Sequence, residues 1–414
     1  MTEIHTVGVL GAGTMGAGIV QVVAEAGLGV LVHDPLDGAT ERARDRIGGF
    51  LDRKVAKGQL DASDASDALA RIRPADSLEA LSAADLVVEA IPEDLALKRD
   101  AFRRLDATAG DDAILATNTS SLSVAAIGSV TRRPDRVVGM HFFNPVPLMA
   151  LVEVIAGPAT APDVTDAVAL LARRLGKTPV IVADTPGFIV NRVARPYYLE
   201  AFRIVGDGGA GVETVDDAMR GIGFPMGPFE LIDAIGADIN FAVSTTVFEQ
   251  FFGDPRYRPH PLQRALVESG RLGRKSNGGC YDYSSDGERG EPWTGLTRRA
   301  DGPRPPELDP AQVEARILAT IVNEASSAIA DGVATPDAVD TAMRLGTNWP
   351  DGPLAWGERI GLASVVHTLD ALHAAVPDGR YRAVPLLRSL AGSGGSFFGA
   401  MVSRSPESGV NSSK

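Results

Sequence analysis

Cysteine is nearly absent, with one, Cys280, in 414 residues. That excludes an intramolecular disulfide framework and a multi-cysteine metal site, so no metal is expected. It also fits a reducing, cytoplasmic setting. No apolar run approaches the ~20 residues needed to cross a bilayer, so no membrane partner is expected. The opening residues, MTEIHTVGVLGAG, place an acid and a histidine before a short apolar run. They have neither the basic start nor the small-residue cleavage site of a secretory signal. Excess positive charge is missing too: 40 Lys and Arg face 53 Asp and Glu, a net charge of −13. That balance disfavours nucleic acid as a partner. An anionic cofactor stays open, because a helix N-terminus and a few lysines capture phosphate locally.

What is present is ordinary globular composition, 44% hydrophobic and 22% charged. At roughly 150 residues per domain the length suggests two or three domains. Over residues 1–185, short apolar runs alternate with helical patterns. The runs are Val7–Leu10, Gly29–His33, Leu86–Ala90, Ile114–Thr117, Val137–Met140, Leu151–Ile155 and Pro179–Val182. This alternation predicts a largely parallel sheet covered on both faces. The last runs lie close together, which allows an antiparallel strand at one edge. From 186 to 283 the apolar spacing is helical, as at Val190, Val193, Tyr197, Ala201 and Ile204. Residues 284–308, rich in Gly, Pro, Ser and charge, read as a linker. Residues 309–392 form a second helical unit, and 393–414 read as a disordered tail.

The two helical units are related. Val215-Asp216-Asp217-Ala218-Met219-Arg220 matches Val339-Asp340-Thr341-Ala342-Met343-Arg344, and Glu200-Ala201 matches Glu324-Ala325 at the same offset. Gly227-Pro228 and Gly236 match Gly352-Pro353 and Gly361 one residue out of that register. Several matches in order indicate duplication, giving two similar units that pack together.

The first apolar run leads into Gly11-Ala12-Gly13-Thr14-Met15-Gly16 and then a helical stretch. This is G-x-G-x-x-G on a strand–turn–helix. Gly11 permits the tight turn, Gly13 lets a pyrophosphate approach the backbone, and Gly16 allows close helix–strand packing. The next run ends in Asp34, whose carboxylate can accept from both ribose hydroxyls and would repel a 2′-phosphate. That favours NAD over NADP, although FAD shares the fingerprint. The fold class is therefore an α/β Rossmann-type doubly wound sheet followed by two all-α helical domains.

His141 ends an apolar run, where ligands of open α/β sheets bind. Glu153 sits between apolar neighbours in the next run, and a carboxylate there is costly unless paired. A histidine held by a carboxylate can take a proton from an alcohol. From spacing alone, a structural histidine beside a salt-bridged acid is an equal reading.

The run His141-Phe142-Phe143-Asn144-Pro145-Val146-Pro147, with Glu153 beyond it, resembles the signature of the 3-hydroxyacyl-CoA dehydrogenase family. So do Asn118-Thr119-Ser120-Ser121, Asp184-Thr185-Pro186-Gly187-Phe188-Ile189-Val190-Asn191-Arg192, Pro225-Met226-Gly227-Pro228-Phe229-Glu230-Leu231 and Gly273-Arg274-Lys275-Ser276. The resemblance covers residues 5–283 in order, and 309–392 resembles the degenerate second helical domain of longer members. It implies NAD-dependent oxidation of an (S)-3-hydroxyacyl-CoA, with a short acyl group such as 3-hydroxybutyryl or, alternatively, 3-hydroxyadipyl. His141 would be the general base, oriented by Glu153. Ser120 and Asn191 would bind the reacting oxygen or the thioester carbonyl. Asn144 would stand near the nicotinamide, and Glu93, Lys98 and Lys275 would contact NAD. Lys54 and Lys57 would reach the CoA nucleotide, though a solvated basic face reads as well there, as does a solvated charge pair for Glu93 and Lys98. Single-copy members dimerise through the helical domain, so either a homodimer or an internal replacement of that interface by the second copy is expected. Ala315 stands where the second copy would need the equivalent of Asn191, so one active site per chain follows. Two other readings stay open: a dehydrogenase of free 3-hydroxy acids, which uses a lysine, and a retired dehydrogenase serving as an NAD-binding structural protein.

Overall fold

The computed structural model describes residues 3–296 and 306–399. Its first half is one eight-stranded sheet made of β1 (Thr6–Leu10), β2 (Gly29–His33), β3 (Ile72–Pro74), β4 (Leu86–Glu89), β5 (Ile114–Thr117), β6 (Val137–Phe142), β7 (Leu151–Ala156) and β8 (Thr178–Ala183), in the order β3-β2-β1-β4-β5-β6-β7-β8. All neighbours are parallel except β6 and β7. The expected antiparallel edge is thus the β6–β7 hairpin, with β8 added outside it. Every expected run is a strand. The additional strand, β3, has three residues with only Ile72 buried, too few to show a period. The order reverses between β1 and β4, which opens a crevice at their carboxyl ends, the usual ligand position of such sheets.

The sheet's two faces belong to different cores. One face packs with helix Thr14–Glu25, helix Ala39–Ala56 and helix Pro162–Arg174. The other shares a single apolar cluster with the whole helical half, from Val87 and Leu151 through Tyr197 and Phe229 to Ile321 and Leu369.

The duplication is physical. Helices Arg195–Asp207, Val212–Gly221, Pro228–Ile235 and Ala237–Gln250 are followed in the same order by Pro310–Ala330, Pro336–Thr347, Pro353–Ile360 and Leu362–Ala375. The matched residues share one device. Asp216 accepts the amides of Phe229 and Glu230, and Asp340 accepts those of Leu354 and Ala355. Each carboxylate therefore caps the first turn of the next helix. Gly227 and Gly352 precede those turns, and a Cβ there would lie 2.3 and 2.1 Å from the Asp216 and Asp340 side chains.

The copies also hold each other reciprocally. Glu324 of the second copy accepts from Arg192 Nε (2.6 Å) and the Tyr257 hydroxyl (2.5 Å) of the first. Glu200 of the first accepts from Arg316 Nε and the Tyr381 hydroxyl of the second. Arg192 and Arg316, like Tyr257 and Tyr381, occupy equivalent positions of the repeat. A contact in which i meets j and j meets i is that of a two-fold interface, here within one chain.

Two expectations are corrected. Part of the proposed linker is built: Arg289–Pro292 pairs antiparallel with Tyr281–Tyr283, Leu296 is buried, and the Leu308 amide donates to Gly209 O. Leu296 joins the apolar cluster of the helical half, and Trp293 and Leu308 pack against it. Residues 297–305 of it lie outside the described residues. The first residues of the expected tail, 393–399, are built: helix Pro385–Ser393 is followed by a buried Phe397 whose amide donates to Glu358. Residues 400–414 lie outside the described residues. Among the described residues no single helix is long and apolar enough to cross a membrane.

Candidate active site

At the crevice, Gly11 has φ +102°, and a Cβ there would lie 2.7 Å from the carbonyl oxygen of Ala90, the residue after β4. A Cβ on Gly16 would lie 1.9 Å from Gly11 O, so that position sets how closely the helix sits on β1. Around Gly13 a Cβ would meet nothing, which leaves room for a ligand to approach the backbone. The first intrahelical bond here runs from the Ala17 amide to Gly13 O, so the amides of Thr14, Met15 and Gly16 are left for phosphate. Gly11, Gly13, Thr14, Met15 and Asp34 line the cleft. Ala12 does not, contrary to expectation. Its side chain is buried, and its amide donates to Asp34 Oδ2 at 2.7 Å. Asp34 Oδ1 accepts from the Leu36 amide. Each carboxylate oxygen has a second lone pair for a ribose hydroxyl. The arginine lining this cleft, Arg104, is bound through Nε and Nη2 to Glu79 and offers little to a 2′-phosphate. These residues fit a dinucleotide with free ribose hydroxyls.

Glu93 organises the loop after β5. It accepts from Thr119 Oγ1 (2.6 Å) and from the amides of Ser120 (2.9 Å) and Ser121 (3.0 Å). Burial opposes its charge, but Lys98 and these donors outweigh burial and hold the carboxyl below its usual range. Lys98 is corrected on both expectations. It is 1% exposed, and its ammonium meets Glu89 (2.6 Å), Glu93 (3.3 Å) and Ile91 O (3.3 Å). An ammonium has three protons, so none remains for NAD; Lys98 positions Glu93. Glu89 was not singled out. It is fully buried at the end of β4 and also accepts from Thr117 Oγ1 and the Ile91 amide. The signal that marks Glu153, an acid in an apolar run, is present there too.

His141 and Glu153 face each other directly across the β6–β7 ladder. His141 Nδ1 lies 2.7 Å from Glu153 Oε2, with the ring 6% exposed and the carboxylate fully buried. The other oxygen, Oε1, accepts the amides of Ile189 and Val190 at 3.0 Å each. One buried carboxylate therefore fixes the imidazole and the start of the helical turn Val190–Val193, which carries Asn191. Phe143 and Phe188 flank the ring, with centroids 4.5 and 5.9 Å away. Asn191 Nδ2 donates to Ser120 O at 3.1 Å, and Asn118 Oδ1 accepts the Phe142 amide at 2.8 Å. His141, Glu153, Ser120 and Asn191 thus come together, joined by Asn118. The following loop is pinned by Lys177, whose buried ammonium donates to Val146 O and Met149 O. Burial pushes Lys177 below the usual lysine range.

Three clefts adjoin. Thr14 is shared by the dinucleotide cleft and a second one lined by Arg46, Arg53, Lys54 and Lys57. Asn144 and Pro145 are shared by that basic cleft and a third, which Asn191 also lines. Lys54 pairs with Glu25 at 2.6 Å, while Lys57 carries no ion pair among the described residues. The third cleft is walled by Tyr197, Tyr198, Phe224 and Met226 of the first copy and by Gly346–Trp349 of the second. Lys275 lies apart. It pairs with Asp238 (2.6 Å) and lines neither the dinucleotide cleft nor the third one.

A dinucleotide crevice whose neighbouring strand ends carry a histidine held by a buried carboxylate defines an NAD-dependent dehydrogenase. A family model described as "3-hydroxyacyl-CoA dehydrogenase, NAD binding domain" matches residues 6–185, and one described as "3-hydroxyacyl-CoA dehydrogenase, C-terminal domain" matches 187–283 and again 313–396. The chain belongs to the 3-hydroxyacyl-CoA dehydrogenase family. It is 38% identical to a 3-hydroxyadipyl-CoA dehydrogenase of Escherichia coli (strain K12), over 94% of this chain and 98% of that one. It is 43% identical to a 3-hydroxybutyryl-CoA dehydrogenase of Clostridioides difficile, over 67% of this chain and 98% of that one. Among solved structures, a 3-hydroxybutyryl-CoA dehydrogenase from Escherichia coli K12 superposes with a TM-score of 0.86 at 38% identity, covering 94% of this chain and 98% of that one. These names differ in the acyl group.

Proposed function

We propose that the chain oxidises the 3-hydroxyl of an (S)-3-hydroxyacyl-CoA to the 3-oxo group, with His141 as general base. The observation that carries this is the His141–Glu153 pair, buried and cross-strand, beside the cleft shared by Asn144 and Asn191. Glu153 holds Nδ1, so Nε2 is the nitrogen left to take the hydroxyl proton, and the carboxylate stabilises the imidazolium that results. NAD, when bound, supplies the acceptor for the hydride leaving the same carbon. Asn191 keeps one amide proton beyond the one given to Ser120 O, and it can bind the substrate oxygen. The Ser120 hydroxyl, which donates to Glu93 at 3.3 Å, keeps its lone pairs for a donor. The basic cleft with Lys54 and Lys57 would hold the CoA phosphates, and the third cleft would hold a short acyl group. The second helical copy takes the place of a partner's helical domain, a reading supported by the reciprocal Arg–Glu–Tyr contacts. A cytoplasmic setting fits the single buried Cys280. Following NAD reduction with 3-hydroxyacyl-CoA thioesters against the free hydroxy acids tests the reaction; oxidation of the free acids alone contradicts it.

Two outcomes follow at this site. Glu153→Gln keeps the shape and removes the counter-ion of the imidazolium. The acidic-limb pKa of the kcat/KM profile should then fall, because the charged imidazole is no longer favoured. An unmoved profile with normal activity leaves Glu153 structural. Asp34→Ala should raise the KM for NAD and narrow the preference over NADP. A wild-type enzyme with higher kcat/KM for NADP overturns that role.

A further inference from the structure

Three arginines are buried in the described chain: Arg192, Arg195 and Arg203. Arg192 is ion-paired with Glu324, and Arg203 with Glu200. Arg195 is not. It is 4% exposed, and among the described residues no carboxylate stands within ion-pair distance of it. Its Nε donates to Asn191 O (2.8 Å), and its Nη1 donates to Ser244 Oγ (3.2 Å) and, more weakly, Asn240 O (3.4 Å). Its guanidinium lies 4.9 Å from the Tyr198 ring centroid. Among the described residues its Nη2 donates to no protein group, and Arg195 is the sole charged residue lining the third cleft. A second donor in the same wall is also unused. Asn240 is 3% exposed, and its Nδ2 has no partner, while its Oδ1 is occupied by Gln263.

A buried cation without a counter-ion is costly, and an orphaned amide donor adds to that cost. Burial pushes the Arg195 guanidinium below its usual range, with only Tyr198 opposing. Structural duty accounts for Nε and Nη1 but not for Nη2 or for Asn240 Nδ2. Arg195 lines the cavity that would receive the acyl chain, whereas Asn240 Nδ2 is closed off behind the same wall. Arg195 follows Asn191 by four residues, about 6 Å along a helix axis. Asn191 is placed at the reacting end, so the guanidinium stands a few methylenes further along an acyl chain.

We propose that Arg195 binds a carboxylate at the far end of the acyl chain, so that the preferred substrates are 3-hydroxyacyl-CoA thioesters of dicarboxylic acids. This rests on the dehydrogenase reading above. The guanidinium fork and a carboxylate match in shape and charge, and the surrounding Tyr197, Tyr198 and Phe224 strengthen the pairing by excluding water.

The test uses the full chain with NAD and two thioesters of equal carbon count, 3-hydroxyadipyl-CoA and 3-hydroxyhexanoyl-CoA, which end in a carboxylate and a methyl. Wild type should favour the first roughly 10- to 100-fold in kcat/KM, the range for a hydrogen bond to a charged group. Arg195→Met should bring the ratio to near one, and Arg195→Lys should keep part of it. Arg195 also braces Asn191, so absolute rates fall for both substrates and the ratio is the readout. A wild-type ratio at or below one, with both thioesters oxidised, overturns the carboxylate subsite and leaves the dehydrogenase intact. A folded Arg195→Met that keeps the wild-type ratio overturns it too. Oxidation of neither thioester overturns the dehydrogenase reading and this one with it. If Arg195→Met does not fold, the wild-type ratio and Arg195→Lys still decide.

Discussion

His141→Gln should lower kcat by ~10²–10⁴-fold, the usual contribution of a positioned general base. Hydride leaves the carbon only as the hydroxyl proton leaves the oxygen, and glutamine has no basic nitrogen to receive it. The substitution keeps a polar side chain of similar length against Glu153, so the β6–β7 ladder should be retained. The site proposed for the dinucleotide, the Thr14–Gly16 amides and Asp34, lies at the other end of the crevice, so its Kd should change by less than about threefold, under 1 kcal/mol. Steady-state kinetics and a fluorescence titration with NADH measure the two quantities separately. A variant with near-wild-type kcat removes His141 from the role; one that loses NADH affinity in proportion to kcat points to a disturbed fold.

The second large effect concerns stability. Glu324→Ala should destabilise the protein by roughly 3–5 kcal/mol, because truncating one partner of a buried ion pair leaves the other charge uncompensated. Arg192 is 1% exposed on its side chain and would keep the neutral Ser327 hydroxyl and one carboxylate, Asp331, which is half exposed. Tyr257 and Arg256 lose the same acceptor. A surface pair gives the scale. Asp370 and Arg388 are 46% and 43% exposed, and Asp370→Asn should cost less than about 1 kcal/mol. Urea unfolding of both variants compares them through their midpoints at a common slope. A Glu324→Ala midpoint no lower than that of Asp370→Asn would mean that the copies are held by apolar packing alone.

The sheet was legible because its strands are short apolar runs separated by helices, and only β3 fell below the length at which a pattern exists. The cofactor turn was legible because backbone contacts require Gly11 and Gly16, and His141 and Glu153 because polar residues in buried strands must find each other. Residues acting through non-local geometry were not legible. Lys98 reads as a solvated charge on a helix until β4 brings Glu89 beneath it. Arg195 reads as one more arginine in a helical stretch, since nothing in the order of residues reveals which carboxylates lie near it. The duplication was visible in Val215–Arg220 and Val339–Arg344, but the exchange of Glu200 and Glu324 between copies depends on how the copies cross.

That exchange changes how the interface answers to dilution. When two separate subunits make such a contact, its population depends on protein concentration, and the fold of each subunit is coupled to an association constant. Here both sides are tethered, so each copy sees the other at a fixed effective concentration set by the intervening chain. Dilution cannot separate them. The tether also frees the second copy from symmetry. A point change in a homodimer appears on both sides of the axis, whereas here one side can change alone. Ala315 stands at the position of Asn191, the amide proposed to bind the substrate oxygen, and Gly346–Trp349 of that side form a wall of the third cleft. One half of the repeat carries the proposed chemistry, while the other is free to vary the shape of the space proposed for the acyl chain.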